Sequence, residues 1–136
     1  MLGVNVNICS PEGFEADSKI VEKAKSLSEF GSKISISNDP LKAMKDAQVI
    51  YTDVWASMGQ EEEHLKRKKI FENYKVDQKL IELADEGAII LHCLPAHRGE
   101  EITEEALESK SSHVFDQAEN RLHVQQALLA VQLGGI

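Results

Sequence analysis

The chain has 136 residues and a formal net charge of −8, with 42% hydrophobic and 28% charged residues. These values are ordinary for one soluble globular domain, and the negative charge argues against nucleic acid or an anionic membrane surface as a partner. No apolar run approaches the roughly 20 residues of a membrane span and no targeting signal is evident, so we expect a cytoplasmic protein. Cys9 and Cys93 lie far apart in sequence and are expected to be free thiols.

The first third of the chain predicts two strands and two helices. Leu2–Cys9 alternates apolar and polar residues, which predicts a strand. Apolar residues then recur at helical spacing over 20–27, and Gly31 is expected to end this helix. Lys33–Ser37 predicts a second strand, and Asp39 with the following proline predicts the cap and first turn of a short helix.

The middle of the chain predicts two more strands separated by helices. Gln48–Trp55 is the third predicted strand. Acidic residues precede basic ones over 61–69, which suits a helix dipole and predicts a solvated helix face and not a binding patch. Asp77 is expected to cap a further helix that ends near Gly87. Ala88–Leu94 then begins with an apolar run that predicts a short buried fourth strand.

The last third predicts two helices and a fifth strand. Thr103 is expected to start a short helix, and Ser112–Phe115 to form the strand. Asp116 and Glu119 are similar to a capping box, so the final helix is predicted to begin there. The segment 127–133 of this helix is apolar on nearly all sides, so we expect it to dock onto the domain itself or onto a partner.

Strands that alternate with helices through short connections indicate an α/β fold. We expect a three-layer, Rossmann-like arrangement with a mostly parallel sheet covered on both faces. In open sheets of this kind ligands bind at the carboxyl ends of the strands. The residues that follow the predicted strands are therefore the candidate site residues.

Asp53 lies near the end of the third predicted strand and is followed four residues later by Ser57. A carboxylate and a hydroxyl at this spacing can bind an ammonium group, although a lone serine more commonly caps a helix. Arg121 lies one turn into the final helix, where a helix N-terminus and a guanidinium both favour phosphate. The alternative for Arg121 is a surface salt bridge with Glu119 or Asp116.

The segment 92–98, His-Cys-Leu-Pro-Ala-His-Arg, follows the apolar run of the fourth predicted strand. It carries a thiol, two imidazoles and a guanidinium, that of Arg98. Cys93 is a candidate nucleophile or polar contact, whereas His92 would otherwise be a satisfied core histidine. A zinc site from His92, Cys93 and His97 is disfavoured because no fourth ligand is evident. The residues alone indicate an α/β domain that binds a small zwitterion beside an anion.

Three motifs together resemble ornithine carbamoyltransferases: Asp-Val-Trp-Ala-Ser-Met-Gly at 53–59, His-Cys-Leu-Pro-Ala-His-Arg-Gly at 92–99, and Phe-Asp-Gln-Ala-Glu-Asn-Arg at 115–121. The likeness covers essentially the whole chain, in the order of that family's C-terminal half. Its Ser-Met-Gly loop is the specific part, since aspartate carbamoyltransferases share the fold but not that loop. The resemblance implies carbamoyl transfer from carbamoyl phosphate to the δ-amine of L-ornithine in arginine biosynthesis, with no metal and no organic cofactor.

The resemblance also implies roles for individual residues. The ornithine contacts would be Asp53, Ser57 and Met58. The proton acceptors would be Asp53 and Cys93, and the carbamoyl phosphate contacts would be Cys93, Leu94 and Arg121. An attacking amine must be neutral, and the developing oxyanion needs preorganised donors, so this set of groups suits the reaction. We expect Asp53 and Cys93 to lie side by side in one cleft, with Arg121 at its rim.

Parts of the family pattern are absent from the sequence. The Ser-x-Arg-Thr and His-Pro-x-Gln motifs of the family's carbamoyl-phosphate domain are not present, nor is a strand that ends in Asp-Gly-x-Asn-Asn. In the family that strand lies centrally, between the strands matching Leu2–Cys9 and Gln48–Trp55. We therefore expect residues 1–136 to form a partial ornithine-binding domain that lacks its carbamoyl-phosphate domain.

Such a chain would bind ornithine weakly by itself and turn over nothing without a missing N-terminal half or another chain. A homo-oligomer through exposed strand edges is one way to compensate for the missing strand. Two alternative functions stay open. One is a carbamoyltransferase for another amine such as putrescine, and the other is a non-catalytic amino-acid-binding or interaction module.

Overall fold

The structure is a computed structural model that describes residues 3–56 and 61–134. Its strands and helices alternate along the chain, as the sequence predicts. In chain order they are β1 (Val6–Cys9), α1 (Ser18–Ser26), β2 (Ile34–Ser37), α2 (Pro40–Met44), β3 (Val49–Thr52), α3 (Glu61–Phe71), α4 (Gln78–Ile81), β4 (Ile89–His92), α5 (Glu104–Leu107) and α6 (Val114–Gln132). A 3-10 turn, Glu72–Tyr74, extends α3.

All four strands pair in parallel, which confirms the predicted α/β class. They form two separate pairs, β1 with β2 and β3 with β4. Within the described ranges β1 and β3 are not hydrogen-bonded to each other, and residues of both line a cavity of about 700 Å³. The break in the sheet therefore lies where the family resemblance predicts a missing central strand.

The hydrophobic core lies beside the β3–β4 pair. Ile90 of β4, Ile102 before α5 and Val114 at the start of α6 are completely buried. Other buried members of this cluster are Ile50, Val76, Ala88, Ala106 and Leu107. Full burial of one aliphatic side chain contributes roughly 1.5–3 kcal/mol to the stability of the fold. This packing therefore holds the β3–β4 pair in place.

Local caps define several helix starts. Asp39 and Asp77 accept hydrogen bonds from backbone N–H groups in the first turns of α2 and α4, and the hydroxyl of Thr103 does the same for α5. These three caps confirm the predictions. Asp17 caps α1 in the same way.

Two predicted helix ends are wrong. The first helix ends at Ser26, because the N–H of Leu27 bonds back to carbonyl groups of the last turn. Gly31 lies further on, in a separate turn with φ +74°. The helix capped by Asp77 likewise stops at Ile81 and does not extend to Gly87.

The predicted fifth strand is also wrong. Ser112 forms a single parallel bridge to Ile90, and α6 begins two residues later at Val114. Asp116 therefore lies inside the first helical turn and is not the cap. The capping position is His113, whose side chain makes no capping hydrogen bond.

The C-terminal part of α6 projects from the domain. Leu122, Leu128 and Leu129 are each more than half exposed. The described part of the domain thus does not cover this apolar segment. Among the described helices, none combines the length and the apolar composition that crossing a membrane requires.

Candidate functional site

Asp53 and Cys93 follow the neighbouring strands β3 and β4. The register aligns Thr52 with His92, so the next residue of each strand lies at the same edge. The thiol of Cys93 donates a hydrogen bond to Oδ1 of Asp53 at 3.0 Å. The structure thus brings together the two strand ends that the sequence singled out.

The carboxylate of Asp53 keeps one oxygen available. Its Oδ1 accepts from the Cys93 thiol and from the N–H of Val54, whereas no described residue bonds to Oδ2. Asp53 is exposed and lines the cavity between β1 and β3. This oxygen can therefore accept hydrogen bonds from an ammonium group that enters the cavity.

The protonation of Cys93 is set by its neighbour. The hydrogen bond to Asp53 raises the pKa of the thiol, burial and the negative charge of Asp53 raise it further, and a hydrogen bond with Tyr51 partly opposes them. Cys93 is consequently a neutral thiol at physiological pH. In this pair the thiol donates and the carboxylate carries the charge.

His92 is a buried histidine with both ring nitrogens in use. Its Nδ1 accepts from the N–H of Leu94 at 2.9 Å, so Nε2 carries the proton and donates to Oε1 of Glu101 at 3.0 Å. The same oxygen accepts from the N–H of His97 at 2.6 Å. His92 and Glu101 therefore hold the loop that follows Cys93, which agrees with the interpretation of His92 as a satisfied core histidine.

Leu94 has an unusual backbone conformation directly after Cys93. Its φ is +55°, in the left-handed region, and its half-buried side chain packs against the core. The chain turns at this residue, which sets the direction in which the loop leaves β4.

Gln117 links α6 to both strand ends. Its Oε1 accepts from the N–H of His92 at 3.0 Å, and its Nε2 donates to the hydroxyl of Tyr51 at 3.2 Å. The sequence analysis missed this residue. Arg121 follows one helical turn later on the same face of α6.

Arg121 is exposed, and within the described part of the chain it forms no ion pair. The salt-bridge alternative is therefore wrong, because Glu119 pairs with His123 at 3.4 Å and Asp116 pairs with His113 at 2.9 Å. The guanidinium remains available for an anion.

The other polar residues of segment 92–98 have different partners. Arg98 binds the carboxylates of Glu104 and Glu108 at 3.0 and 2.6 Å. His97 lies near Glu100, with 3.7 Å between Nδ1 and Oε2. The zinc site considered for His92, Cys93 and His97 is not formed. The ring of His97 lies beside Glu100, and both nitrogens of His92 are hydrogen-bonded. Ser57 and Met58 lie outside the described residues.

Comparison with known proteins places this chain in a family. The model of the aspartate/ornithine carbamoyltransferase family's Asp/Orn binding domain matches residues 1–132. An ornithine carbamoyltransferase of Prochlorococcus marinus is 62% identical over 136 residues, which are 100% of this chain and 43% of that protein. That of Parasynechococcus marenigrum is 55% identical with the same coverage.

The fold agrees with a solved relative. The structure of ornithine carbamoyltransferase from Pyrococcus furiosus superposes with a TM-score of 0.91 at 51% identity, covering 99% of this chain and 44% of that one. The chain therefore spans less than half the length of these relatives. Residues 1–132 belong to the aspartate/ornithine carbamoyltransferase family and correspond to its Asp/Orn binding domain.

Proposed function

We propose that this chain supplies the ornithine-binding part of an ornithine carbamoyltransferase, which makes L-citrulline and phosphate from L-ornithine and carbamoyl phosphate. The observation that carries the proposal is the 3.0 Å contact between Cys93 and Asp53 at neighbouring strand ends. Its support from other proteins is the 62% identity to a relative named ornithine carbamoyltransferase. A place in arginine biosynthesis follows from citrulline as the product.

Asp53 suits the ammonium end of ornithine because no described residue bonds to its Oδ2 and no described cation neutralises its charge. Ser57 and Met58 are proposed as further ornithine contacts on the strength of the sequence motif. The δ-amine must lose a proton before it attacks the carbamoyl carbon. Since Cys93 is protonated, it can accept that proton only while its own proton passes to Asp53, so the two act as one proton-accepting pair.

Carbamoyl phosphate is assigned to Cys93, Leu94 and Arg121. Once the proton of Cys93 has passed to Asp53, the proton that the thiol receives from the amine can be donated to the developing oxyanion. The guanidinium of Arg121, which forms no ion pair within the described residues, matches phosphate oxygens. Holding two substrates in register at adjacent strand ends lowers the entropy cost of their reaction. The proposal includes no metal and no organic cofactor.

The rest of the enzyme is proposed to come from an N-terminal half or another chain. Two features support this: the cavity between β1 and β3, and the uncovered apolar segment of α6. Residues 1–136 would then be a partial domain that completes its sheet and covers α6 on association. A cytoplasmic location fits the two free thiols, Cys9 and Cys93.

The test is citrulline synthesis by the purified chain, alone and mixed with the N-terminal part of the Prochlorococcus relative that this chain does not cover. We expect no turnover by the chain alone and activity in the mixture. In the mixture, Asp53→Asn and Cys93→Ser should each reduce turnover at least about tenfold, the change produced by about 1.4 kcal/mol of lost transition-state stabilisation. Cys9→Ser is the matched control.

Robust activity of the chain alone would refute the proposed incompleteness. Titrating ornithine and putrescine, with and without carbamoyl phosphate, separates the remaining alternatives. Binding of ornithine that ignores carbamoyl phosphate, with an inactive mixture, would favour a non-catalytic binding module. A preference for putrescine would contradict the role of Asp53 at an α-amino acid end.

A further inference from the structure

Three side chains that can bind a metal ion lie close together in a group that does not include Asp53 or Cys93. His64 of α3 and His97 and Glu100 of the loop after β4 place their ligand atoms within 4.8 Å of one another. Nε2 of His64 lies 2.8 Å from Oε2 of Glu100, and Nδ1 of His97 lies 3.7 Å from the same oxygen. We call these residues the His-Glu cluster.

The spacing of the His-Glu cluster suits a tetrahedral ion. Zinc at about 2.0–2.1 Å from its nitrogen and oxygen ligands holds those atoms about 3.3 Å apart. The observed separations of 2.8 and 3.7 Å lie on either side of that value. The two imidazole rings meet edge to face with centroids 5.9 Å apart, so they are not stacked on each other.

A further contact orients the carboxylate. Nζ of Lys68 lies 3.0 Å from Oε1 of Glu100, so one carboxylate oxygen is anchored and the other is turned towards the imidazoles. Such outer partners commonly orient metal-binding side chains. The side chain of Glu100 is 16% exposed, whereas those of His64 and His97 are 29% and 43% exposed, so an ion can enter from solvent.

We propose that His64, His97 and Glu100 bind a divalent first-row transition metal, in the first place Zn²⁺. Two imidazoles and a carboxylate form a recurrent zinc ligand set and leave one coordination position for water. The ion would replace the proton between His64 and Glu100. It would join α3 to the loop that leads from Cys93 to Glu101, and so restrict the motion of that loop. This proposal does not depend on the carbamoyltransferase reaction.

A competing location is the group formed by Asp53, His92 and Cys93, which also lie within 4.8 Å of one another. There, both nitrogens of His92 are already hydrogen-bonded, to Leu94 and Glu101. Only a carboxylate and a thiol remain. The experiment must nevertheless separate a nitrogen and oxygen site from a sulfur site.

The test is titration of the 136-residue chain with Zn²⁺ against a competing chromophoric chelator. We expect a single ion to bind, and Cys93→Ser to bind it with unchanged affinity. His64→Gln and His97→Gln should each weaken binding by about tenfold or more, the effect typical of lost metal-site partners. His123→Gln is the matched control, since His123 is an exposed histidine paired with Glu119.

X-ray absorption at the zinc edge keeps the test decisive if a variant fails to fold. The wild-type chain should show only nitrogen and oxygen neighbours at about 2.0–2.1 Å, and no sulfur at about 2.3 Å. Absence of zinc binding, a sulfur shell, or binding lost in Cys93→Ser but kept in His64→Gln would each overturn the proposal. None of these results bears on citrulline synthesis.

Discussion

At the residue scale, Asp53 controls the proton of Cys93. The hydrogen bond from the thiol to Asp53 is the main reason that the pKa of Cys93 is raised, followed by burial and the charge of Asp53. In a Cys9→Ser background, Asp53→Asn should therefore lower this pKa. For each unit by which the pKa of the thiol falls, the thiolate fraction near neutral pH grows about tenfold, while the thiolate becomes a weaker nucleophile. The rate of alkylation by iodoacetamide should therefore rise roughly threefold for each unit of pKa.

The rate is followed from neutral to alkaline pH, where the midpoint of the profile reports the pKa. Cys9 provides the internal control, because burial is the main cause of its raised pKa and Asp39 adds to it. In a Cys93→Ser background, Asp53→Asn should leave the profile of Cys9 unchanged. A Cys93 profile that does not move in Asp53→Asn would contradict the assigned donor and acceptor.

Glu101 is the residue whose loss should matter most for stability. Its Oε1 accepts from buried His92 and from the N–H of His97, whereas no described residue bonds to its buried Oε2. Glu101→Ala leaves two donors unpaired and should lower the free energy of unfolding by about 2–4 kcal/mol. Glu101→Gln keeps an acceptor and should cost less.

The measurement for Glu101 is urea unfolding followed by circular dichroism. Glu104→Ala is the control, because Glu104 is exposed and pairs with Arg98 at the surface, where an ion pair contributes less than about 1 kcal/mol. Equal losses for Glu101→Ala and Glu104→Ala would show that the buried contacts do not hold the loop.

At the element scale, Gln117 fixes the start of α6 against the ends of β3 and β4. Gln117→Leu removes two hydrogen bonds and should destabilise this docking by about 1–2 kcal/mol. The amide of His92 should then exchange with solvent about tenfold faster, as measured by hydrogen exchange. Gln117→Glu retains the acceptor for His92 and should be milder.

Gln125→Leu tests whether a leucine on α6 is harmful in itself. Gln125 lies two turns beyond Gln117 on an exposed part of the helix, so its replacement should leave the His92 amide protected. Comparable exchange in Gln117→Leu and Gln125→Leu would mean that α6 docks through Val114 alone.

The elements that could be predicted from sequence are those with local causes. The caps Asp39 and Asp77 act on N–H groups two or three residues away, and the four observed strands follow apolar patterns. The prediction of a strand at Ser112–Phe115 was wrong, because the apolar pair Val114 and Phe115 is compatible with either a strand or the first turn of a helix. The prediction that α1 ends at Gly31 was wrong, because the N–H of Leu27 already bonds to the last carbonyl groups of the helix.

At the scale of the whole molecule, the cavity between β1 and β3 leaves backbone groups of β1 without a partner among the described residues. The N–H of Val6 donates to the carbonyl of Lys33, directly before β2, and that of Ser10 donates to Ser37 of β2. The N–H groups of Asn7 and Cys9 therefore face the opposite edge of β1. We predict fast hydrogen exchange at Asn7 and Cys9 in the chain alone. Mixing with the remaining part of the Prochlorococcus relative should slow it, because a strand would then pair with this edge.

The amides of Val6 and Ser10 serve as controls, since they are paired in both states. Slow exchange at Asn7 and Cys9 in the isolated chain would contradict the open edge. Light scattering would then show whether a second copy of the chain fills it, the homo-oligomer considered from the sequence. A monomer with slow exchange would require another explanation of the cavity.

The candidate site could be predicted only in part. Asp53 and Cys93 were predictable because the carboxyl ends of parallel strands meet at one edge. Gln117 contacts Tyr51, 66 positions away in the sequence, and His64 contacts Glu100, 36 positions away. Contacts over such separations cannot be predicted from a local sequence pattern. The charged run 61–69 looked like a solvated face, yet its His64 and Lys68 both bind Glu100.

The left-handed backbone of Leu94 has a consequence for engineering this site. The conformation costs an L-residue about 1–2 kcal/mol, and it costs a side chain that branches at Cβ more. Leu94→Met should therefore be tolerated, whereas the seemingly conservative Leu94→Ile should lower the melting temperature, as calorimetry can show. Libraries that vary this site should exclude isoleucine, valine and threonine at this position, whatever they vary elsewhere.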